Sequence, residues 1–249
     1  MTVMDPPLAP PTLPPAQPQG PPSKPPAPLE VHSTHAAITI PGDIRDLAGF
    51  RAWAHSDDFP QQGRFAFLDG LLWVDLSMEE IFTHSQVKGA AYATIREMVR
   101  AEQLGYLLLD GALLSIPVVN LATEPDLLFC LYQTIASGRA RFVPGKKAGY
   151  MEIEGSPDMA LEIVSASSVK KDKTILPPLY WKAGVPEFWL IDARQTPVEF
   201  QILRHGPEAY VPQSAGAHGI FSPLFNRHFK LTQTADRFGH PEFILEAHA

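Results

Sequence analysis

A run of seven residues with a carboxylate at its centre, Met159–Ser165 (MALEIVS), limits what this chain can fold into more than any other stretch. Read as a strand, it puts Met159, Leu161, Ile163 and Ser165 on one face and Ala160, Glu162 and Val164 on the other. Both faces are largely apolar, which predicts a strand covered on both sides and central in a sheet. Glu162 is then a carboxylate in an apolar run, where an unpaired charge costs on the order of several kcal/mol or is forced neutral. A serine- and lysine-rich loop follows (Ser165, Ser167, Ser168, Lys170, Lys171, Lys173). Next comes a short helix over about Pro177–Ala183, with prolines in its first turn and Gly184 past its end. Phe188–Ile191 reads as another buried strand.

The partners open to a buried Glu162 are a nearby cation, a lysine from that loop or a bound metal. A second carboxylate favours the metal. Glu124-Pro125-Asp126 offers one, since Asp126 opens the apolar run Leu127-Leu128-Phe129-Cys130. Two carboxylates at the ends of adjacent strands, with a lysine beyond the second, suit an oxygen-liganded Mg²⁺ or Mn²⁺. Such an ion activates water against a phosphodiester, and the lysine steadies charge developing on phosphate oxygens. The plainer alternative makes Asp126 a turn residue and Glu162 half of a structural ion pair.

The series Glu124-Pro125-Asp126, Pro157-Asp158…Glu162-Ile-Val-Ser165, Ser167-Ser168-Val-Lys-Lys171-Asp172 and Tyr180…Ala183-Gly184-Val-Pro-Glu187-Phe-Trp189-Leu-Ile-Asp192 resembles the Uma-type restriction endonucleases. That family belongs to the PD-(D/E)XK nuclease superfamily. The resemblance runs from about Arg64 to the C-terminus, with Pro241–Glu246 similar to the family's closing strand. It implies a restriction endonuclease-like α/β fold, a mixed central sheet flanked by helices with a β-rich C-terminal extension. It also implies a DNA endonuclease using Mg²⁺ or Mn²⁺, with Asp126 and Glu162 as metal ligands and Lys171 as the catalytic lysine. Lys170 and Lys173 are the substitutes for that lysine. The family's histidine on its first long helix is matched by Thr83-His84-Ser85-Gln86-Val87, which adds His84 to the catalytic candidates; unaided, a lone helical histidine reads as a capping or packing residue.

Three positions depart from the family pattern. A hairpin strand that ends Glu-Leu-Ile-Asp-Gly in relatives reads Ala66-Phe67-Leu68-Asp69-Gly70, Ala166 replaces a proline, and Leu176 stands where many members carry a lysine. The loss of a carboxylate at Ala66 keeps a second class of function open, a catalytically degenerate nuclease fold acting as a binding or interaction module. A metal hydrolase of small phosphate esters is a more distant third.

Residues 1–30 hold 12 of the 26 prolines, a composition that favours extended chain and cannot bury a core. Residues 1–35 are therefore expected to be a disordered tail and 36–249 the nuclease-like domain. No apolar run reaches the roughly 20 residues that span a membrane. The first residues, MTVMDPPLAPP, lack the pattern of a secretory signal, and a single cysteine, Cys130, forbids an internal disulfide. A cytoplasmic protein is expected, with Cys130 a small core residue. A second copy of the chain is admitted as a partner. The net charge of −7 argues against a generally basic nucleic-acid binder. Gly138–Lys182 nevertheless holds eight Lys and Arg against five acidic residues, as a phosphate substrate near Glu162 would require.

The remaining elements follow from pattern. A strand over Ala36–Pro41 leads to a helix about Asp43–His55, and a hairpin of Arg64–Leu68 with Leu71–Leu76 turns at Asp69-Gly70. Ser77 with Glu80 resembles a capping box opening a helix to about Gln103, with Ile81, Val87, Ala91, Ile95 and Met98 as its apolar stripe. Strands Tyr106–Leu109 and Leu113–Ile116 flank Asp110-Gly111, the second continuing to Asp126, and Tyr132–Gly138 reads as a short helix. Tyr150–Glu154 and Met159–Ser165 are expected to pair as a hairpin, and Val198–Arg204 with Glu208–Val211 as an outer one. Phe229–Leu231 and Phe243–Ala247 complete the strands.

Overall fold

The computed structural model of the chain describes residues 29–32, 37–42, 44–146 and 149–249. The expected tail over 1–28, Asp43 as helix start and Lys147 of the basic cluster lie outside them. The chain divides into two units, 1–43 and Ile44–Ala249. In the first, Ala37–Ile40 forms the expected strand. Its antiparallel partner is Leu29–His32, residues that composition assigns to the tail.

The second unit is α/β with mixed sheets. One six-stranded sheet runs, in spatial order, Leu71–Asp75, Arg64–Leu68, Leu121–Thr123, Leu113–Ile116, Tyr150–Gly155 and Ala140–Pro144. The other runs Tyr210–Pro212, Glu199–His205, Glu187–Asp192, Met159–Ile163, Leu127–Leu131 and Gly105–Leu109. A four-stranded sheet of Ala215–Gly216, Gly219–Ser222, Arg227–Ala235 and Pro241–His248 makes the β-rich C-terminal part.

Met159–Ile163 is central, as its two apolar faces predict. It lies parallel to Glu187–Asp192 and antiparallel to Leu127–Leu131, and all five of its residues are buried. Its alternation divides the interior into two cores. Met159, Leu161 and Ile163 pack with Trp189 and Ile191, with Val87, Ala91 and Ile95 of the helix Val87–Ala101, and with Phe229 and Phe243 of the C-terminal sheet. Ala160 and Val164 pack instead with Leu176, Leu179 and Tyr180 of the helix Leu176–Lys182 and with Ala66, Leu114 and Leu121 of the first sheet. Cys130 belongs to this second core, and burial pushes its thiol up to about 12.

Several local expectations are corrected. The first helix runs Leu47–Ala54, because the Asp46 side chain accepts from Gly49 N–H (2.8 Å) and caps it there. Ser77 does not cap the next helix: its hydroxyl donates to Asp75 (2.6 Å), and Glu80 itself caps, accepting from the Thr83 backbone N–H. The helix opens with a π turn, Ile81–Gln86, before the regular Val87–Ala101, and this leaves Ile81 exposed and His84 buried. A second π turn, Lys171–Ile175, precedes Leu176–Lys182. The strands expected on either side of Asp110-Gly111 are present, and that turn carries the chain from one large sheet to the other. Leu113–Ile116 does not run on to Asp126. A 3₁₀ turn at Pro117–Val119, closed by left-handed Asn120, folds Leu121–Thr123 back beside it.

The expected hairpin of Tyr150–Glu154 with Met159–Ser165 is also absent. Tyr150–Gly155 pairs with Leu113–Ile116 and Ala140–Pro144, in the other sheet from Met159–Ile163. Gly155 makes the crossing. It adopts φ +115°, and a Cβ on it would lie 2.2 Å from the Arg139 carbonyl oxygen.

Candidate functional site

Asp126 precedes the strand Leu127–Leu131, beside the C-terminal end of Met159–Ile163. That adjacency lets Asp126 Oδ2 accept from the Ile163 backbone N–H (2.8 Å) and brings its carboxylate to a cavity that Glu162 also lines. Ala66, Trp73 and Asp75 of the first sheet's hairpin, Thr123, Glu124, Ser168, Lys171 and Asp172 complete much of its wall. The site therefore draws on both large sheets and on the loop after the central strand.

Glu162 is 1% exposed and accepts two hydrogen bonds, from Tyr180 Oη to Oε1 (2.9 Å) and from Lys171 Nζ to Oε2 (3.3 Å). Its carboxyl is pushed up to about 8, first by burial and then by the negative charges of Asp172 and Asp126, which Lys171 and Tyr180 only partly offset. Asp126 goes the other way. Burial opposes its charge, but His84, Lys88 and the Ile163 N–H outweigh that and hold it well below the usual carboxylate range. Burial also opposes the charge of Lys171, yet Glu162 and Asp172 hold it firmly as an ammonium, 2.8 Å from Asp172 Oδ1. Asp172 is anchored by the Ser168 hydroxyl, and its carboxyl is raised by burial.

All four candidates from the sequence are thus near one another. His84 Nε2 lies 3.5 Å from Asp126 Oδ2, and Lys171 reaches Glu162. Of the substitute lysines, Lys173 is committed elsewhere, pairing with Asp192 (2.7 Å) and Glu199 (2.8 Å), and Lys170 does not line the cavity. Asp158, at the opposite end of the central strand, holds Arg139 and the Leu131 N–H. Ala66 lines the cavity with no carboxylate to offer; opposite it across the hairpin is Trp73, whose indole N–H has no partner among the described residues.

Sequence reasoning missed Glu79, Lys88, Asp110 and the positioning role of Tyr180. Lys88 Nζ contacts Glu79 (2.7 Å), Asp110 (2.7 Å) and Asp126 (3.1 Å), and Glu79 also accepts from Arg64 and Ser85. The available signal was spacing: His84 and Lys88 are four residues apart and share a helix face. Glu79, His84 and Asp126 each bring a donor atom within 4.8 Å of the others.

A profile of the family described as "Uma2: Putative restriction endonuclease" matches residues 47–232. The chain belongs to this family. The match begins before Arg64, where the motif likeness starts, and stops short of Pro241–Glu246. No curated protein matches the chain. Among solved structures, the crystal structure of "a putative nuclease" from Anabaena variabilis is similar at 18% identity and a TM-score of 0.49, covering 65% of this chain and 83% of that one.

The donors present fit a hard divalent cation. Asp126 and Glu162 are carboxylates facing one cavity, and Glu162 has no full counter-charge of its own because Lys171 is shared with Asp172. Among the described residues no helix is long and apolar enough to cross a membrane.

Proposed function

We propose that the chain is a metal-dependent endonuclease that hydrolyses phosphodiester bonds of DNA. The observation that carries this reading is the meeting of Asp126, Glu162 and Lys171, from three separate stretches of chain, at one cavity. Asp126 and Glu162 would hold Mg²⁺ or Mn²⁺, which would supply Lewis acidity toward a phosphodiester. The protein's own groups do the rest. Lys171, oriented by Asp172 and Glu162, presents a cation to developing charge on a phosphate oxygen. Tyr180 and the Ile163 N–H hold the two carboxylates in place. His84 stands within reach of Asp126 as a polar group at the mouth of the helix. The basic excess of Gly138–Lys182 suits a polyanionic substrate.

Supercoiled plasmid incubated with Mg²⁺ or Mn²⁺ should be nicked by the wild type and not by Glu162→Gln. Equal cleavage by both would remove Glu162 from the chemistry. Ala66 favours the second reading, a nuclease fold retained as a binding module, because it lines the cavity without a carboxylate. Metal-independent DNA binding with no cleavage under any divalent ion would establish that reading instead.

A further inference from the structure

Among the described residues of the second unit, Lys88 meets more carboxylates than any other cation, and it has no place in the reaction described above. It is 6% exposed, and its ammonium meets three carboxylates from three segments: Glu79 before the helix (2.7 Å), Asp110 at the inter-sheet turn (2.7 Å) and Asp126 at the head of its strand (3.1 Å). Its ammonium donates hydrogen bonds to Glu79 and Asp110 and stands in ion-pair contact with Asp126. Burying lysine in this way is tolerated only because the negative charge is already assembled around it.

Asp126 is shared. Its Oδ1 faces Lys88, while the same carboxylate lines the cavity with Glu162. A carboxylate that bridges two cations is the arrangement of two-ion phosphodiester sites, where the ions stand roughly 3.5–4 Å apart. Beside the ammonium, His84 is 4% exposed and its Nδ1 is buried with no hydrogen-bond partner, 3.6 Å from Glu79 Oε1. Glu79, His84 and Asp126 together make a mixed oxygen and nitrogen set of the kind that suits Mn²⁺. A divalent ion among Glu79, His84 and Asp126 would compete with Lys88 Nζ for the same oxygens.

We propose that Lys88 occupies a second cation position of this site, so that its ammonium takes the place of a second divalent ion. The proposal makes Lys88 a positioning residue, holding Asp126 through its Oδ1 without touching substrate. The number of ions bound by the intact chain rests on the endonuclease reading above. The difference between wild type and a Lys88 variant does not.

The test counts Mn²⁺ per chain on the full-length protein, by calorimetric titration and by equilibrium dialysis. Lys88→Met should bind one more ion than the wild type, and Lys88→Arg, which keeps the charge, should bind the same number. A wild type that binds one ion and a Lys88→Met that binds two would support both proposals. Counts of zero and one would support this inference and sink the ion at Asp126 and Glu162. Equal counts in wild type and Lys88→Met, or two ions with Lys88 intact, would overturn it.

Lys88→Met takes a shared cation from three carboxylates and can fail to fold, so a second arm keeps Lys88. With the ammonium present, Glu79→Gln and Asp110→Asn should change Mn²⁺ affinity by less than about threefold, because those carboxylates hold Lys88 and not the ion. A loss of tenfold or more in either, of the size expected for a supporting ligand, would show that they serve the ion directly and would overturn the proposal.

Discussion

The Tyr180 hydroxyl donates to Glu162 Oε1 across 2.9 Å, joining the helix after the lysine loop to the middle of the central strand. Both groups are fully enclosed, so the phenol replaces water as a donor to a carboxyl that has few others. Tyr180→Phe should keep the packing and leave Glu162 with Lys171 alone. Removing a buried hydrogen bond to such a group costs about 1–3 kcal/mol, which urea unfolding would register. Cleavage should fall as well, since Glu162 loses its fixed rotamer. An unchanged unfolding midpoint would mean that this hydrogen bond adds no net stability.

Ala66 is the position where one substitution should add function. It is 4% exposed and faces the cavity, opposite Trp73 with its unpartnered indole N–H. Ala66→Glu would bring a further carboxylate to the hairpin wall that already carries Asp75. A supporting group at a metal site changes affinity or activity by about 10–100-fold, so Mn²⁺ affinity and plasmid nicking should both rise. The gain in nicking should vanish when Glu162→Gln is added. Failure of Ala66→Glu to alter either quantity would place Ala66 outside the ion's reach.

Asp192 sets part of the acid limit of the fold. Hydrogen bonds from Arg194 come first among the causes that depress its carboxyl; burial opposes them, and Lys173 adds to them. A carboxyl depressed in the folded state adds stability above its unfolded value, near pH 4, and loses it as pH falls toward the folded value. Urea midpoints measured between pH 7 and pH 2.5 should therefore fall more steeply at the acid end in wild type than in Asp192→Asn. Parallel curves would assign the acid loss to other carboxyls.

Gly155 permits no side chain. At φ +115°, with a Cβ predicted 2.2 Å from the Arg139 carbonyl oxygen, Gly155→Ala combines backbone strain with a clash against main chain that cannot swing away. The expected loss is about 3 kcal/mol or more, seen as a large drop in thermal midpoint or a failure to fold. A drop of only a degree or two would mean that the crossing between the sheets relaxes easily.

The sequence is most informative where local pattern and global position agree. MALEIVS is apolar on both faces because it is central, and Asp69-Gly70 turns a hairpin because both residues take positive φ. Glu162 stands out as a candidate because a carboxylate among Ala160, Leu161, Ile163 and Val164 must be given a partner. Pairing between distant strands is a different matter. Tyr150–Gly155 and Met159–Ile163 are neighbours in sequence with a turn between them, yet Glu152 lies opposite Leu113 and Met159 opposite Phe129 and Glu187. Nothing in either strand's own residues encodes that choice. Lys88 was hidden for a related reason: its three carboxylates come from positions 79, 110 and 126, and only the tertiary fold gathers them.

The two π turns give the site an unusual sensitivity to chain length. A π turn carries one residue more per hydrogen-bonded loop than an α turn, as in Ser85 N–H bonding to the Glu80 carbonyl. One such turn holds His84 and the other begins at Lys171. Each helix could lose a single residue there and relax into ordinary α geometry with its apolar stripe unchanged downstream. The flanking stretches would keep their phase, because the extra residue is taken up within the turn, and only residues of the turn itself would be displaced. A deletion harmless to the core would thus displace His84 or Lys171 from the carboxylates, so the extra residue in each turn bears on the candidate site.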